Sequence, residues 1–294
     1  MTEPTKPGVY DMPAEEYHAH PALSSTGARR LMPPSCPALF QHERLHGRPD
    51  SRAFDIGHAA HLMVLGSGPE LVVVEAENWR TKAAQAARDQ AYAEGKTPLL
   101  EHEHDEVQEM AEVIRRHPVA GKLLDPARGR AEQSLFWRDS KSGVDCRARL
   151  DFLPHPTSGR LLVPDYKTTT SVEPKALAKA VHKFGYHQQD DWYKDAVYAN
   201  DLAERVAFLF VFQEKVAPYL VTVVELGQDF LTWAAVLNDK ARDIFRRCTD
   251  TGAWPGYSDG IEQVFLPTYA EHEYEAARMR GDFDITPVTQ RDVA

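Results

Sequence analysis

Cysteine is scarce in this 294-residue chain: Cys36, Cys146 and Cys248 are far apart and form no CxxC pair. They cannot supply four thiolates for an iron–sulfur cluster or a structural zinc site, which leaves reduced, structural cysteines. No apolar run approaches the ~20 residues needed to span a bilayer. The opening Met1-Thr-Glu-Pro-Thr-Lys lacks the apolar stretch of a signal peptide. The expectation is a soluble, cytoplasmic protein with no membrane partner. Positive charge is also in deficit, and a net charge of -10 disfavours a protein that coats nucleic acid with a basic surface. An enzyme with only a local basic track around acidic ligands stays compatible with that sign. The chain has no internal repeat, no GxxxxGK[ST] phosphate loop, no HExxH and no nucleophile elbow. A fused helicase motor and the chemistries of the other two motifs are thereby excluded.

What is present supports a real core, with 43% hydrophobic residues in a length that suits one large domain or two modest ones. We read one domain over 1–294. Residues 1–130 form a mostly helical part that carries His61, 131–250 hold the sheet and its helices, and 251–294 form an irregular tail. Helices are expected over Ala14–Ala19, after the Ser24-Ser-Thr26 cap, over Cys36–Arg44, Phe54–Leu65, Thr81–Glu94 and Glu103–Arg116. Leu71–Glu75 reads as a short strand. From Ala131 the period changes to two, giving three neighbouring strands at Glu132–Trp137, Val144–Leu153 and Arg160–Thr168. In the second, Cys146, Ala148, Leu150 and Phe152 face a core, and Arg147, Arg149 and Asp151 lie on the other face. Helices at Pro174–Lys183 and Tyr186–Asn200, strands at Arg205–Phe212 and Pro218–Glu225, and a helix over Asp229–Cys248 complete an α/β pattern with a mixed central β-sheet flanked by helices.

The chemistry gathers around Asp151 and Asp165-Tyr-Lys167. A hairpin that pairs the second and third strands brings two carboxylates and an ammonium to one sheet face, because Lys167 is two residues beyond Asp165. A hard cation such as Mg²⁺ needs only one or two protein carboxylates, with the Tyr166 carbonyl as a further oxygen. Lys167 then orients the attacking water or stabilises the transition state. Alone, the tripeptide is better read as a salt bridge on an exposed strand. Pro164 before it suits an edge or bent strand rather than a central one. His61, four residues after Gly57 and beside Ala60, can reach the same place from a closely packed helix, or be a half-buried histidine in a helix interface. Gln189 and Tyr193 share a helix face at i, i+4. Lys175, Lys179 and Lys183 repeat at i, i+4, i+8, as a phosphate-backbone stripe or a solvated face does.

Gly57-x-x-x-His61, Asp151, Asp165-x-Lys167 and Gln189-x-x-x-Tyr193 stand in the order of the RecB-like branch of the PD-(D/E)XK nucleases. The chain resembles most the exonuclease VIII (RecE-type) nuclease domain of phages and prophages. The stretches Leu23-Ser-Ser-Thr, Cys36-Pro…Phe40, Asp165-Tyr-Lys-Thr-Thr169 and Tyr186–Tyr193 carry the likeness, which covers Gly8 to Pro267. It implies a restriction-endonuclease-like core with N-terminal helical additions. By matching position it makes His61, Asp151 and Asp165 side-chain metal ligands and Lys167 the catalytic lysine. Gln189 and Tyr193 become supporting residues, and Glu132 an additional acidic position. Ser25 would lie near the DNA 5′ end and Arg29 or Arg30 on a phosphate. The implied activity is Mg²⁺-dependent (or Mn²⁺-dependent) 5′-to-3′ digestion of linear duplex DNA in phage-type recombination or repair. Ring-like homo-oligomers and a single-strand annealing partner protein belong to the same likeness. The chain departs from it in Phe152, which follows Asp151 in place of the motif's own order, and in lacking the iron–sulfur cysteines of some relatives. An endonuclease or single-strand-specific nuclease of the same fold is the near alternative. A non-catalytic DNA-binding or assembly protein is the distant one, because His61, Asp151, Asp165 and Lys167 are all intact.

Overall fold

Backbone ladders sort the strands of the protein into three sheets in its computed structural model, which describes residues 6–47 and 55–284. Phe54, the expected helix start, the opening before Lys6 and residues 285–294 of the expected tail lie outside the described residues. The first strand, β1 (Gly8–Tyr10), is followed by α1 (Ala14–Ala19), β2 (Leu23–Ser24), α2 (Ser25–Arg30), α3 (Pro37–His46) and α4 (Asp55–Leu65). Next come β3 (Leu71–Val74), α5 (Lys82–Ala93), β4 (Thr97–Leu100), α6 (Glu101–Arg116) and α7 (Ala120–Leu123). Long strands β5 (Gly129–Arg138), β6 (Asp145–Pro154) and β7 (Leu161–Thr169) lead into α8 (Pro174–Phe184) and α9 (Tyr186–Ala199). Then β8 (Val206–Glu214), β9 (Val221–Glu225), α10 (Gln228–Thr251) and α11 (Thr268–Met279) follow. No helix among the described residues is long and apolar enough to cross a membrane.

Local chemistry explains most boundaries. Ser24 Oγ accepts from the Gly27 amide at 3.1 Å and Thr81 Oγ1 from the Ala84 amide at 3.1 Å, so both helices start where a hydroxyl satisfies a free N–H. Along β6 burial alternates as the sequence does, with Cys146, Ala148, Leu150 and Phe152 buried and Arg147, Arg149 and Asp151 half-buried. By contrast β8, apolar at successive positions, is buried on both faces and runs parallel to β7.

The expected mixed β-structure flanked by helices is present, with its strands in three ladders. One ladder has the order β1-β5-β6-β2, another β7-β8-β9, and β3 pairs with the unforeseen β4. The expected β6–β7 hairpin pairing is therefore corrected: the strands neighbour each other but share no backbone ladder. Pro164 explains part of this, since it and Tyr166 point their backbone nitrogens to the same strand edge and proline has no N–H to donate. That edge is the one facing β6, because the Tyr166 amide donates to the Asp151 carboxylate at 2.9 Å. A second correction concerns residues 251–294, where α11 forms a helix inside the expected irregular tail.

Contacts divide the chain into two compact units, Met1–Trp254 and Pro255–Ala294. In the first unit the β7–β8 sheet separates two cores. Leu161, Val163, Phe208, Phe210 and Phe212 join Trp192, Ala196 and Ala241 of α9 and α10 on one face. Tyr166 and Val211 join Ala59, Ala60, Met110 and Ile114 of α4 and α6 on the other. The helical N-terminal part and the sheet thus share a core. Under the first face, Arg242 of α10 is only 3% exposed. It pairs with Asp195, reaches Asp239 at 3.3 Å and Asp139 at 3.7 Å, and stacks 4.6 Å from the Trp192 ring centroid. Removing a buried charge strands its partners, although Asp195 and Asp239 retain access to solvent. Arg242→Ala is expected to lower the unfolding free energy by about 3 kcal/mol, at the low end for breaking a buried pair. Urea denaturation checks this, and an unchanged midpoint would show that the network contributes nothing net.

Candidate active site

The gap between β6 and β7 is where the polar residues meet. Asp151, near the end of β6, faces the open edge of β7, and its carboxylate takes the Tyr166 amide hydrogen that a ladder partner would otherwise take. From the α4 side His61 enters between two carboxylates: its Nε2 lies 3.3 Å from Asp151 Oδ2 and its Nδ1 3.4 Å from Glu132 Oε1. Buried alanines 59 and 60 let α4 sit close to the sheet. Glu132 stands opposite Asp151 on β5, at the one position missing from an otherwise continuous β5–β6 register. Its φ of 54° is left-handed, a conformation that costs a non-glycine residue on the order of 1–3 kcal/mol and concentrates at functional sites. The bend is secured by an ion pair with Arg149, which also donates to the Met12 carbonyl at 2.9 Å and Ser134 Oγ at 3.0 Å.

Asp165 and Lys167 approach from the other face of β7. Asp165 is fully buried. Its Oδ1 accepts from Gln189 Nε2 of α9 at 2.6 Å, and its Oδ2 is ion-paired with Lys167. The charges explain the acidities. Burial works against ionised Asp151, but His61, Lys167 and the hydrogen bonds from His61 and the Tyr166 amide outweigh it and hold the carboxyl down at about 2. Burial followed by the charge of Asp151 pushes Asp165 up to about 7, against the pull of Lys167. Glu132 is raised by burial and by Asp151, while His61 is raised by Asp151 and Glu132 despite its burial. Lys167, disfavoured by burial, is raised by Asp165 and Asp151. Three carboxylates are crowded into one desolvated place, and the local cations do not fully compensate them.

Among the described residues, His61, Glu132 and Asp151 are the group of metal-ligating side chains that offer one ligand atom each within 4.8 Å of one another. One imidazole nitrogen and two carboxylate oxygens fit a divalent cation, which would also offset the crowded charge. The geometry thus brings Glu132, rather than Asp165, into the group with His61 and Asp151, and engages Asp165 with Lys167 and Gln189. Tyr193 is half-buried with its ring edge-on to Phe208 at 5.4 Å, and both Asp165 and Asp151 act on its phenol. Ser25 is buried on α2, its Oγ without a hydrogen-bond partner among the described residues. Arg29 donates to the Phe184 carbonyl at 2.7 Å, so it pins the α8–α9 turn. Lys175, Lys179 and Lys183 lie exposed along one face of α8.

One residue was not singled out from the sequence. Tyr186, at the start of α9, presents its ring 5.7 Å from Lys167 Nζ and packs on Phe210 and Phe212. Its sequence signals are its place three residues before Gln189, nearly one helical turn, and its position at the head of the Tyr186–Tyr193 stretch.

A mixed α/β core with carboxylates and a lysine at the split between two strands defines the restriction-endonuclease-like, PD-(D/E)XK class. Residues 24–266 match the family described as a PDDEXK-like domain of unknown function (DUF3799), and the chain belongs to it. No curated protein matches the chain. Among solved structures, a protein of Eubacterium rectale named "putative exonuclease" superposes with a TM-score of 0.59 at 13% identity, covering 89% of this chain and 98% of that one. At that identity the likeness is one of fold.

Gly185 carries the turn that sets Tyr186 over Lys167. Its φ is +67°, and a Cβ there would lie 2.7 Å from Arg29 Cδ. Gly185→Ala is expected to destabilise the protein by about 1–2 kcal/mol, the cost of a left-handed non-glycine residue. Thermal and urea unfolding measure it, and full retention of stability would show that the turn relaxes freely.

Proposed function

We propose that this protein is a metal-dependent DNA nuclease, acting as an exonuclease on the ends of linear duplex in phage-type recombination or repair. The observation that carries the reading is the convergence of His61, Glu132 and Asp151 with the Asp165–Lys167–Gln189 group at the gap between β6 and β7. His61, Glu132 and Asp151 would hold the ion, with Asp165 and the Tyr166 carbonyl beside them. Mg²⁺ or Mn²⁺, once bound, supplies charge neutralisation at a phosphoryl group and lowers the pKa of water. Lys167 contributes a fixed positive charge for the oxygens on which negative charge grows in the transition state. Gln189 and the lysine hold Asp165 in one orientation, and Tyr186 covers the ammonium with its ring face. Tyr193 supports α9 from the core side. Ser25 and Arg29, on the helix that meets the α8–α9 turn, suit the DNA end, and the lysines of α8 suit its backbone.

Membership of the PDDEXK-like family and the name of the Eubacterium rectale protein support this reading. The 5′-to-3′ polarity, self-assembly, a single-strand annealing partner and a cytoplasmic setting rest on the RecE-type motif order. End-labelled linear duplex is expected to shorten from its ends in Mg²⁺ while closed circles persist, and chelation stops the reaction. Asp165→Ala and Lys167→Ala are each expected to lower the rate by about 10²-fold or more with the fold retained. Rapid nicking of circles rejects the exonuclease reading, and near-normal activity of both variants rejects the site.

Replacing Lys175, Lys179 and Lys183 together is expected to weaken DNA binding and flatten its dependence on salt. Each lost phosphate contact removes roughly 0.9 from the slope of log affinity against log salt, so the slope falls by about 2–3. A slope equal to that of the parent would show that the stripe touches no DNA.

A further inference from the structure

Strand β8 is apolar from Val206 to Phe212 and then places an amide, Gln213, wholly out of water. Burying an amide costs free energy unless its polar atoms are hydrogen-bonded, and an apolar residue would fill the same volume without that demand. Here the N–H groups and the oxygen are all engaged. Gln213 Nε2 donates to the Met110 carbonyl of α6 at 2.9 Å and to the Tyr219 carbonyl at 3.3 Å. Both partners are acceptors only, so the amide nitrogen faces them and the oxygen faces Tyr166. That oxygen accepts from the Tyr166 hydroxyl at 2.6 Å.

Tyr166 is the residue on which this anchor acts. Its amide donates to the Asp151 carboxylate at 2.9 Å, and its ring centroid lies 6.5 Å from that of His61. Tyr166 therefore meets two members of the metal-ligating group, while its far end is tied to Gln213. Gln213 in turn joins β8 to α6, which shares a core with α4, the helix of His61. The loop before β9 is held in the same knot, because the Tyr219 hydroxyl bonds to Glu109, next to Met110 on α6.

We infer that Gln213 is a positioning residue for the metal group, acting through Tyr166. The amide fixes where Tyr166 stands between β7 and α4, and with it the separation of the Asp151 carboxylate from the His61 imidazole. Groups one step removed from a metal orient its ligands and tune its affinity, and loss of such a group is felt at the ion. The inference rests on the metal-dependent reading above and extends it to a residue that neither holds the ion nor touches DNA.

Calorimetric titration of the full chain with Mn²⁺, in the absence of DNA, tests this. Gln213→Met keeps the volume and removes the amide, and Tyr166→Phe removes one hydroxyl while keeping the backbone that faces Asp151. Each is expected to weaken Mn²⁺ binding by about 10- to 100-fold, the usual loss when a ligand's supporting partner is removed. The double variant is expected to bind no more weakly than the poorer single one, because both changes break one contact. Thermal unfolding establishes that each variant is folded at the titration temperature, and Tyr166→Phe carries the test if Gln213→Met is not. Parent-like affinity in the folded variants, even with lowered stability, would overturn the positioning role and leave the nuclease reading standing. Losses that multiply in the double variant would overturn it as well. If the parent binds Mn²⁺ yet leaves DNA intact, the nuclease reading fails, and the affinities alone still decide the role of Gln213. A parent that binds no Mn²⁺ overturns both.

Discussion

The hydrogen bond from the Tyr166 amide to the Asp151 carboxylate organises the rest of the site. It lies at an edge of β7 where a neighbouring strand would ordinarily supply a carbonyl, and it substitutes a side-chain anion for that carbonyl. Two consequences follow from one contact. The edge amide is satisfied, so β6 and β7 can diverge without leaving a buried donor unpaired. The carboxylate is fixed in the gap that the divergence opens, where residues from both faces of the sheet can reach it.

The charge distribution leaves the gap rich in negative charge. Asp151 is kept ionised by His61, Lys167 and the amide, and its charge in turn lifts Asp165 and Glu132. A fold selected for stability alone would not gather three carboxylates in a desolvated cleft, nor keep Glu132 in a left-handed conformation beside them. Arg149 and Gln189 limit the cost by holding Glu132 and Asp165, and Lys167, which lies over the Tyr186 ring, pairs with Asp165. The arrangement is destabilised relative to an apolar filling and suited to receive a cation.

Much of this was legible in the sequence because it is local. The alternation of Cys146–Phe152 follows from side chains pointing to opposite faces of a strand, and burial along β6 reproduces it. Helix starts at Ser24 and Thr81 follow from hydroxyls three residues before an amide. Lys167 and Asp165 share a face for the same period-two reason. What was not legible depends on distant partners. Strand β4 contains Pro98 in only four residues, and it exists because β3 pairs with it. Helix α11 lay hidden behind the Pro- and Gly-rich stretch that precedes it. The separation of β6 from β7 was legible only in part: Pro164 marked an edge or bent strand, but which neighbouring strand it would leave unpaired is not a local property.

The sequence by itself determined most of the elements and the chemical types available: carboxylates at 151 and 165, a lysine at 167, a histidine on a small-residue helix, and an amide on the helix that follows. Covalent geometry sets those periods, so they survive without any knowledge of the fold. Only the tertiary structure decided that Glu132 completes the group with His61 and Asp151, that Asp165 is held by Lys167 and Gln189, and that Tyr186 roofs the lysine. Those choices depend on which faces meet across the sheet, and burial of the two cores on either side of β7 and β8 fixes that meeting.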